Sequence, residues 1–305
     1  MRMTSHNTQL QQFVDEEVSK VKGKYLPRHA STLERFLIRK LSCSKLHPNP
    51  YDEFCDPEIG PNAQIVNQYV KSFQYIDDRQ PLSNKGTEFM DIDALFVQKI
   101  YPDGYMILNG HHRWAAAVRI GKKSLPVRIV NLTQEKDLKK MLEHAQNDKR
   151  ITMDLDEVVF SPWKNEEMEK PLRFPLNRFY PERLRFGIPS LFSFFNTNRY
   201  DIWLYTPGYM SIDYIRSMMK LHHLHITGIV TGTDRKGPDK ENTKAEVEAL
   251  MNKTYTRTVY IDNDAVTYIN SAEKDLREYA LAGNGPWSAQ IMDIFTMKKD
   301  VFGQA

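Results

Sequence analysis

Residues 102–130 read PDGYMILNGHHRWAAAVRIGKKSLPVRIV, and the order of residue types in this stretch decides the fold of the first half. Pro102-Asp103-Gly104 is a turn signal, and Tyr105–Asn109 is a short apolar run of strand type. Asn109-Gly110 breaks that run. A helix is expected from about His112 to Ile120, stopped by Gly121. Leu125–Val130 is short and β-branched, which predicts another strand. Upstream, Leu95–Ile100 reads as the strand that enters the turn, and 63–74 (AQIVNQYVKSFQ) as a helix. Before these lies a turn-rich stretch, HPNPYDEFCDP at 47–57. Within the first 45 residues, Leu10, Phe13, Val14, Val18 and Val21, then Leu33, Phe36, Leu37 and Leu41, recur at helical spacing. This predicts two amphipathic helices broken near Pro27. A charged helix, Gln134–Asn147, is expected to lead out of the unit.

The second half changes character. Four short apolar segments follow in order: Ile151–Leu155, Ile202–Tyr205, Ile226–Val230 and Val259–Ile261. Helical patterns lie between them, which predicts βαβ units and a parallel sheet. Each segment runs at once into polar residues: Asp156-Glu157, Thr206, Thr231-Gly232 and Asp262-Asn263-Asp264. Ligands of open α/β sheets bind beyond the carboxyl ends of the strands, so these residues are candidates to converge. The expected organisation is an α/β protein with a helical extension at 1–45, an α+β domain at 46–148 and a Rossmann-like parallel-sheet domain at 149–305.

Composition agrees with a globular chain. Of 305 residues, 41% are apolar and 27% charged, with a formal charge of +3, which excludes fibrous and disordered classes. No run of about 18 apolar residues exists, so no membrane helix is expected. The polar start, MRMTSHNTQLQQ, lacks the apolar region of a secretory signal. Cys43 and Cys55 are too few for a disulfide framework or a zinc site and read as free thiols of a reducing, cytoplasmic location. The charge is uneven. Residues 1–150 hold 23 Lys/Arg against 18 Asp/Glu, and residues 151–305 hold 19 against 21. The basic excess of the first half hints at anionic ligands there.

Two constellations carry chemistry. Asp154-Leu155-Asp156 puts two carboxylates at a strand end. Alone, such a pair is most simply a solvated turn. The other strand ends change that reading, because Thr206 adds a hydroxyl, Asp262 another carboxylate, and Lys244, at an expected helix start, a cation. Lys236 and Lys240 lie near enough to compete with Lys244. A nucleophile, an acid, a hydroxyl, a cation and a metal-binding carboxylate in one crevice suit phosphoryl transfer. The second constellation is Asn109-Gly110-His111-His112-Arg113, which opens a helix. Free N–H groups at a helix start, with basic side chains beside them, suit a phosphate. A plain capped helix with a basic end is the simpler alternative. His222-His223-Leu224-His225 lacks carboxylates at ligand spacing and reads as a helix end. The aromatic run from Trp163 to Phe195 reads as core and lid. There is no P-loop.

The acidic motifs resemble those of the haloacid dehalogenase-like phosphohydrolases over about residues 150–270. DLDEVVF resembles their first motif, Thr206 the second, Lys244 the third and Asp262-Asn263-Asp264 the fourth. DLDE and IDND look like the branch that contains phosphatases of the RNA polymerase tail. The resemblance implies that Asp154 attacks phosphorus, Asp156 protonates the leaving oxygen, and Thr206 and Lys244 hold phosphoryl oxygens. It also implies Mg²⁺ held by Asp154, the backbone carbonyl of Asp156, and Asp262. Val158 stands where many relatives have Thr. The short interval between Asp156 and Thr206 leaves no room for a large cap domain.

The stretch at 102–130, with HPNP at 47–50, resembles the ParB/sulfiredoxin-like fold over about residues 40–131. Its hallmark is a G-x-[HR]-R box between a strand and a helix. Sulfiredoxins carry a cysteine where His111 stands. NGHHR is similar to the DGHHR of free serine kinases, with Asn109 in place of Asp, and Glu53 matches their glutamate by position only. The leading expectation is a Mg²⁺-dependent phosphatase or phosphotransferase with a fused domain that binds a phosphorylated small molecule or nucleotide. The alternatives are a nucleotide-gated DNA-binding or regulatory ParB-like protein and a small-molecule kinase. Nucleic acid ranks behind the small ligand as partner, and no membrane is expected.

Overall fold

The computed structural model describes residues 5–21, 23, 25–79, 94–160, 167–233, 240–281, 283 and 285–303. It is a mixed α/β structure with two multi-stranded sheets. The chain forms two compact units, Met1–Leu132 with Arg235–Lys240, and Thr133–Asp234 with Glu241–Ala305.

In the first unit the strands are β1 (Leu26–Pro27), β2 (Lys40–Ser42), β3 (Leu46–His47), β4 (Leu95–Tyr101), β5 (Tyr105–Asn109) and β6 (Ser124–Ile129). They run in the order β2-β6-β4-β5-β3, with β1 against the end of β4. β4 and β5 form the antiparallel hairpin turned at Pro102-Asp103-Gly104, while β6 returns parallel to β4. The return is made by the helix His111–Arg119, whose Trp114, Ala115, Ala116 and Ala117 are buried. Three small residues beside one indole let this helix lie close to its neighbours, and Leu95, Val97, Ile107, Leu125 and Val127 complete the core. The opening helices differ from expectation. Ser5–Val21 forms, but the second is only Thr32–Leu37, fixed by a reciprocal cap between Ser31 and Glu34. Its Leu33, Phe36 and Leu37 are exposed. The residues expected to continue it, through Leu41, enter β2 instead.

The second unit holds β7 (Lys149–Asp154), β8 (Asp201–Thr206), β9 (Gly228–Thr231), β10 (Arg257–Ile261), β11 (Ala265–Asn270) and β12 (Asp275–Ala280). The order is β12-β11-β10-β7-β8-β9. β10, β7, β8 and β9 are parallel, and β11 and β12 are added antiparallel. β7, β8 and β9 are buried almost end to end, as strands covered on both faces must be, while β10 leaves Tyr260 exposed. β11 alternates buried and half-buried positions, so one of its faces is covered. The four parallel strands match the four expected segments within two residues at each end.

Trp203 is fully buried on β8, the strand beside the edge strand β9. At about 25 cal/mol per Å², burying an indole contributes roughly 4–6 kcal/mol. Its ring lies across Gly228 of the next strand, where a Cβ would come within 2.3 Å of it. At the N-terminal end of β7, Lys149 donates to the carbonyls of Asn198 and Gly303, at 3.3 and 3.0 Å. The stacked pair Phe295 and Phe302, 4.1 Å apart, sits in the same core.

The division after Leu132 falls earlier than the boundary expected at 148. The reason is local: Thr133 donates to the Ile229 carbonyl and accepts from the Thr231 amide, at 3.1 and 3.0 Å. These bonds tie the segment to β9, and the following helix, Glu135–Leu142, packs beside that strand. That helix is shorter than the expected Gln134–Asn147. Among the described residues no helix is long and apolar enough to cross a membrane.

Candidate functional site

The strand register brings the acidic residues together. Asp154 ends β7 opposite Tyr205, the residue before Thr206 at the end of β8. On its other side Met153 pairs with Ile261, so Asp262 follows at the matching end of β10. Asp154, Thr206 and Asp262 thus sit at the carboxyl ends of three adjacent parallel strands.

Beyond Asp154 the chain makes one wide turn of π-helix, Leu155–Val159. Asp154 caps it, its Oδ1 accepting from the Glu157 amide at 2.7 Å. The turn brings Asp156 back toward β8, where Thr206 donates its hydroxyl to Asp156 Oδ2. Thr206 is fully buried, and its Oγ1 also accepts from the Gly208 amide at 2.9 Å. A Cβ on Gly208 would stand 3.1 Å from that hydroxyl and 3.5 Å from Asp156 Oδ2, so the space above the pair is kept open. Thr206 therefore holds Asp156 in place, and its hydroxyl is committed to that residue.

Burial holds the Asp154 carboxyl above the usual carboxylate range, and the neighbouring charges of Asp156 and Glu157 push the same way, against the Glu157 amide. Asp262 is arranged by its surroundings. Its amide donates to the Ala265 carbonyl at 2.9 Å, its Oδ1 accepts from the Asn263 amide at 2.7 Å, and its carbonyl accepts from the Trp287 indole at 3.2 Å. Asn263 accepts from Arg185 at 2.8 Å, and the Arg185 guanidinium lies 4.0 Å over the Trp287 ring. Neither Arg185 nor Trp287 was expected at the site. The buried guanidinium, 6% exposed, marks the pair in the structure, but no sequence spacing connects residues 185, 263 and 287.

Lys236 and the side chain of Lys244 lie outside the described residues. The helix Lys240–Thr254 is already running at Lys240, so Lys244 is a turn inside it and not at a helix start, because the chain turns into the helix earlier than expected.

Among the described residues no group of three His, Cys, Asp or Glu side chains is placed to hold a metal ion. The expected Mg²⁺ set contains two carboxylates, Asp154 and Asp262, and one backbone carbonyl. Such a set of hard oxygens fits Mg²⁺, which keeps several waters and takes one or two carboxylates. The upward push on Asp154 is the electrostatic counterpart, since a cation beside it would restore the charged form.

The glycine-histidine turn is built differently from expectation. Gly110 has φ of 101° and starts the helix His111–Arg119. A Cβ there would lie 2.3 Å from Leu95 Cδ2, so glycine is required twice over. Asn109 is exposed just before it. His111 is buried, and its Nε2 accepts from the Asn49 amide at 3.1 Å. His112 Nε2 accepts from the Asn62 amide at 3.2 Å. Each of these rings then carries its proton on Nδ1. His111 Nδ1 lies 3.7 Å from Asp52 Oδ1, and both rings pack on Phe54. Arg113 stacks over Tyr69 at 5.2 Å. Nε2 of each histidine therefore anchors the segment from 49 to 62 and is not free to donate to a phosphate. The reason is that the HPNP stretch folds back over the helix start. Glu53 is exposed in the short turn Glu53–Cys55.

The aromatic run splits: Phe192 and Phe195 are core, while Phe174, Phe179 and Phe186 are exposed. Trp163 lies outside the described residues. His222 caps the end of the helix Ile212–Leu221, as read from the sequence.

The first unit is thus an α+β domain in which a glycine box joins a strand to a buried helix. Residues 68–145 match the ParB N-terminal domain. The match covers the β4-β5 hairpin, the Gly110 box, the helix after it and β6, and ends beyond the Glu135–Leu142 helix. None of the curated proteins matches the chain.

Proposed function

We propose that the second unit catalyses phosphoryl transfer from a phosphate ester, in the manner of the haloacid dehalogenase-like phosphohydrolases that its motifs resemble. The observation that carries this reading is the hydroxyl of Thr206 holding Asp156 beside Asp154 at the ends of neighbouring strands. The strand order β10-β7-β8-β9 supports it, because Asp154 then stands between the ends of β8 and β10. In this reading Asp154 attacks phosphorus as the bond to the ester oxygen breaks. Asp156 gives its proton to that oxygen. Water then attacks the aspartyl phosphate, returns a proton to Asp156, and frees Asp154 with inorganic phosphate. Asp154, Asp262 and the backbone carbonyl of Asp156 would hold Mg²⁺, whose charge lets a carboxylate approach a phosphate. Arg185, through Asn263 and Trp287, keeps the Asp262 loop in register with β7. Purified chain with Mg²⁺ should hydrolyse p-nitrophenyl phosphate, and Asp154→Asn should lower the rate at least a thousandfold. Equal rates for the two proteins would remove the reading.

A second reading is favoured by the ParB match. A nucleotide-gated, nucleic-acid-binding or regulatory role for the first unit accords with that match and with the basic excess of residues 1–150. The family match bears on this reading alone. It expects DNA binding that weakens steeply with salt, measured by fluorescence anisotropy with and without nucleotide. No binding at low salt in either condition would remove it. A phosphorylated ligand at the Gly110 box is the narrower version. It now rests on the helix N–H groups and Arg113, since Nε2 of both histidines is engaged.

A further inference from the structure

The helix Ile212–Leu221 places Arg216 and Lys220 one turn apart on the same face, both exposed. The chain leaves this helix at His222, and His223 takes a left-handed φ of 56°, an uncommon conformation for a bulky residue. That reversal carries His223 and His225 toward Arg216 and Lys220. The four side chains line an open cleft of about 450 Å³, with Met219 and Ile226 among its apolar wall residues. The volume lies in the range of small-molecule sites. Among the described residues no Asp or Glu lines it. Two like charges at this helical spacing repel each other, and an anion between them would offset that repulsion. The cleft lies at the N-terminal end of β9, so it is remote from Asp154 and Asp156, which stand at the opposite ends of the parallel strands.

We propose that this cleft binds a small organic phosphate. Arg216 and Lys220 hold the dianion, whose three oxygens can accept from both cations and from an imidazole at once. Met219 and Ile226 cover the organic part. A phosphate fits better than a carboxylate because the lining offers more donors than one carboxylate can accept from. The site is independent of the acidic site and of the reaction proposed there.

Phenylphosphonate is a suitable probe, since it carries a dianion and an apolar ring and has no ester bond to cleave. It is titrated into the full chain and into Asp154→Asn, followed by the ring-proton NMR signals of His223 and His225, assigned from His223→Gln and His225→Gln. The expected result is a saturable shift of both signals, alike in the two proteins. Arg216→Gln/Lys220→Gln should weaken binding at least tenfold, and inorganic phosphate should bind at least fivefold more weakly than phenylphosphonate. Should the double variant melt below wild type, the single variants carry the same comparison, because each residue is exposed. No shift of the two signals, or equal affinity in the charge variants, overturns the proposal. So does a shift that disappears in Asp154→Asn, which would put the ligand at the acidic site. Equal affinity for inorganic phosphate overturns the assignment of an organic ligand.

Discussion

The guanidinium of Arg185 donates to the side chain of Asn263 at 2.8 Å, one residue from Asp262, while its carbon lies 4.0 Å from the centre of the Trp287 ring. A buried cation of this kind is costly to desolvate and depends on its hydrogen bonds. Arg185→Lys keeps the charge but loses the planar fork and the stacking. It is expected to destabilise the chain by about 2 kcal/mol, read as a lower urea midpoint. If Asp262 takes part in phosphoryl transfer, the same variant lowers kcat for p-nitrophenyl phosphate at least tenfold.

Thr206→Val removes the hydroxyl that joins Asp156 to the Gly208 amide and leaves both partners short of a hydrogen bond. The cost is expected to be about 1–3 kcal/mol. Thr206→Ser keeps the hydroxyl and should recover most of that loss, which a pair of urea titrations would check. A Val variant more stable than the Ser variant would show that the methyl packing matters and the hydroxyl does not.

Gly110→Ala meets two obstacles, the positive φ and the Leu95 side chain. The expected cost is about 2–3 kcal/mol. Because Leu95 is fully buried in the first unit, the loss should be smaller when measured in a Leu95→Val background. A double-mutant cycle by chemical denaturation reads the difference.

Burial holds His112 below the ordinary imidazole range, against the pull of Asp52. The folded state therefore favours the neutral ring, and the unfolded chain binds the proton more readily. The resulting stability is fully present above pH ~6.5, the unfolded value, and is lost as pH falls through the lower folded value. His47 and His222 are shifted the same way, also by burial. The urea midpoint should fall between pH 7 and pH 5, and His112→Gln should flatten part of that slope.

The strands of the parallel sheet were legible because each carries a short, mostly apolar segment, buried almost end to end in β7, β8 and β9. The Gly110 box was legible because glycine, histidines and an alanine-rich helix follow in one short stretch. β11 carried a usable signal, since Val266, Tyr268 and Asn270 alternate with less buried residues, but no apolar run announced it. β12 is almost wholly exposed or half-buried and has no pattern to read. The roles of the two histidines were hidden for a different reason. Their partners are backbone amides at 49 and 62, and a backbone amide has no residue identity. Arg185 was hidden because its contacts join three distant segments. The exposed face of Thr32–Leu37 shows the limit of periodicity, which finds a helix without showing what covers it.

Trp203 and Gly228 face each other across β8 and β9, the ring of one occupying the volume that any side chain on the other would need. The two positions therefore behave as a single heritable unit. A library randomised at both sites should return alanine at 228 only together with a smaller residue at 203, and selection acting on one position will be recorded at the other.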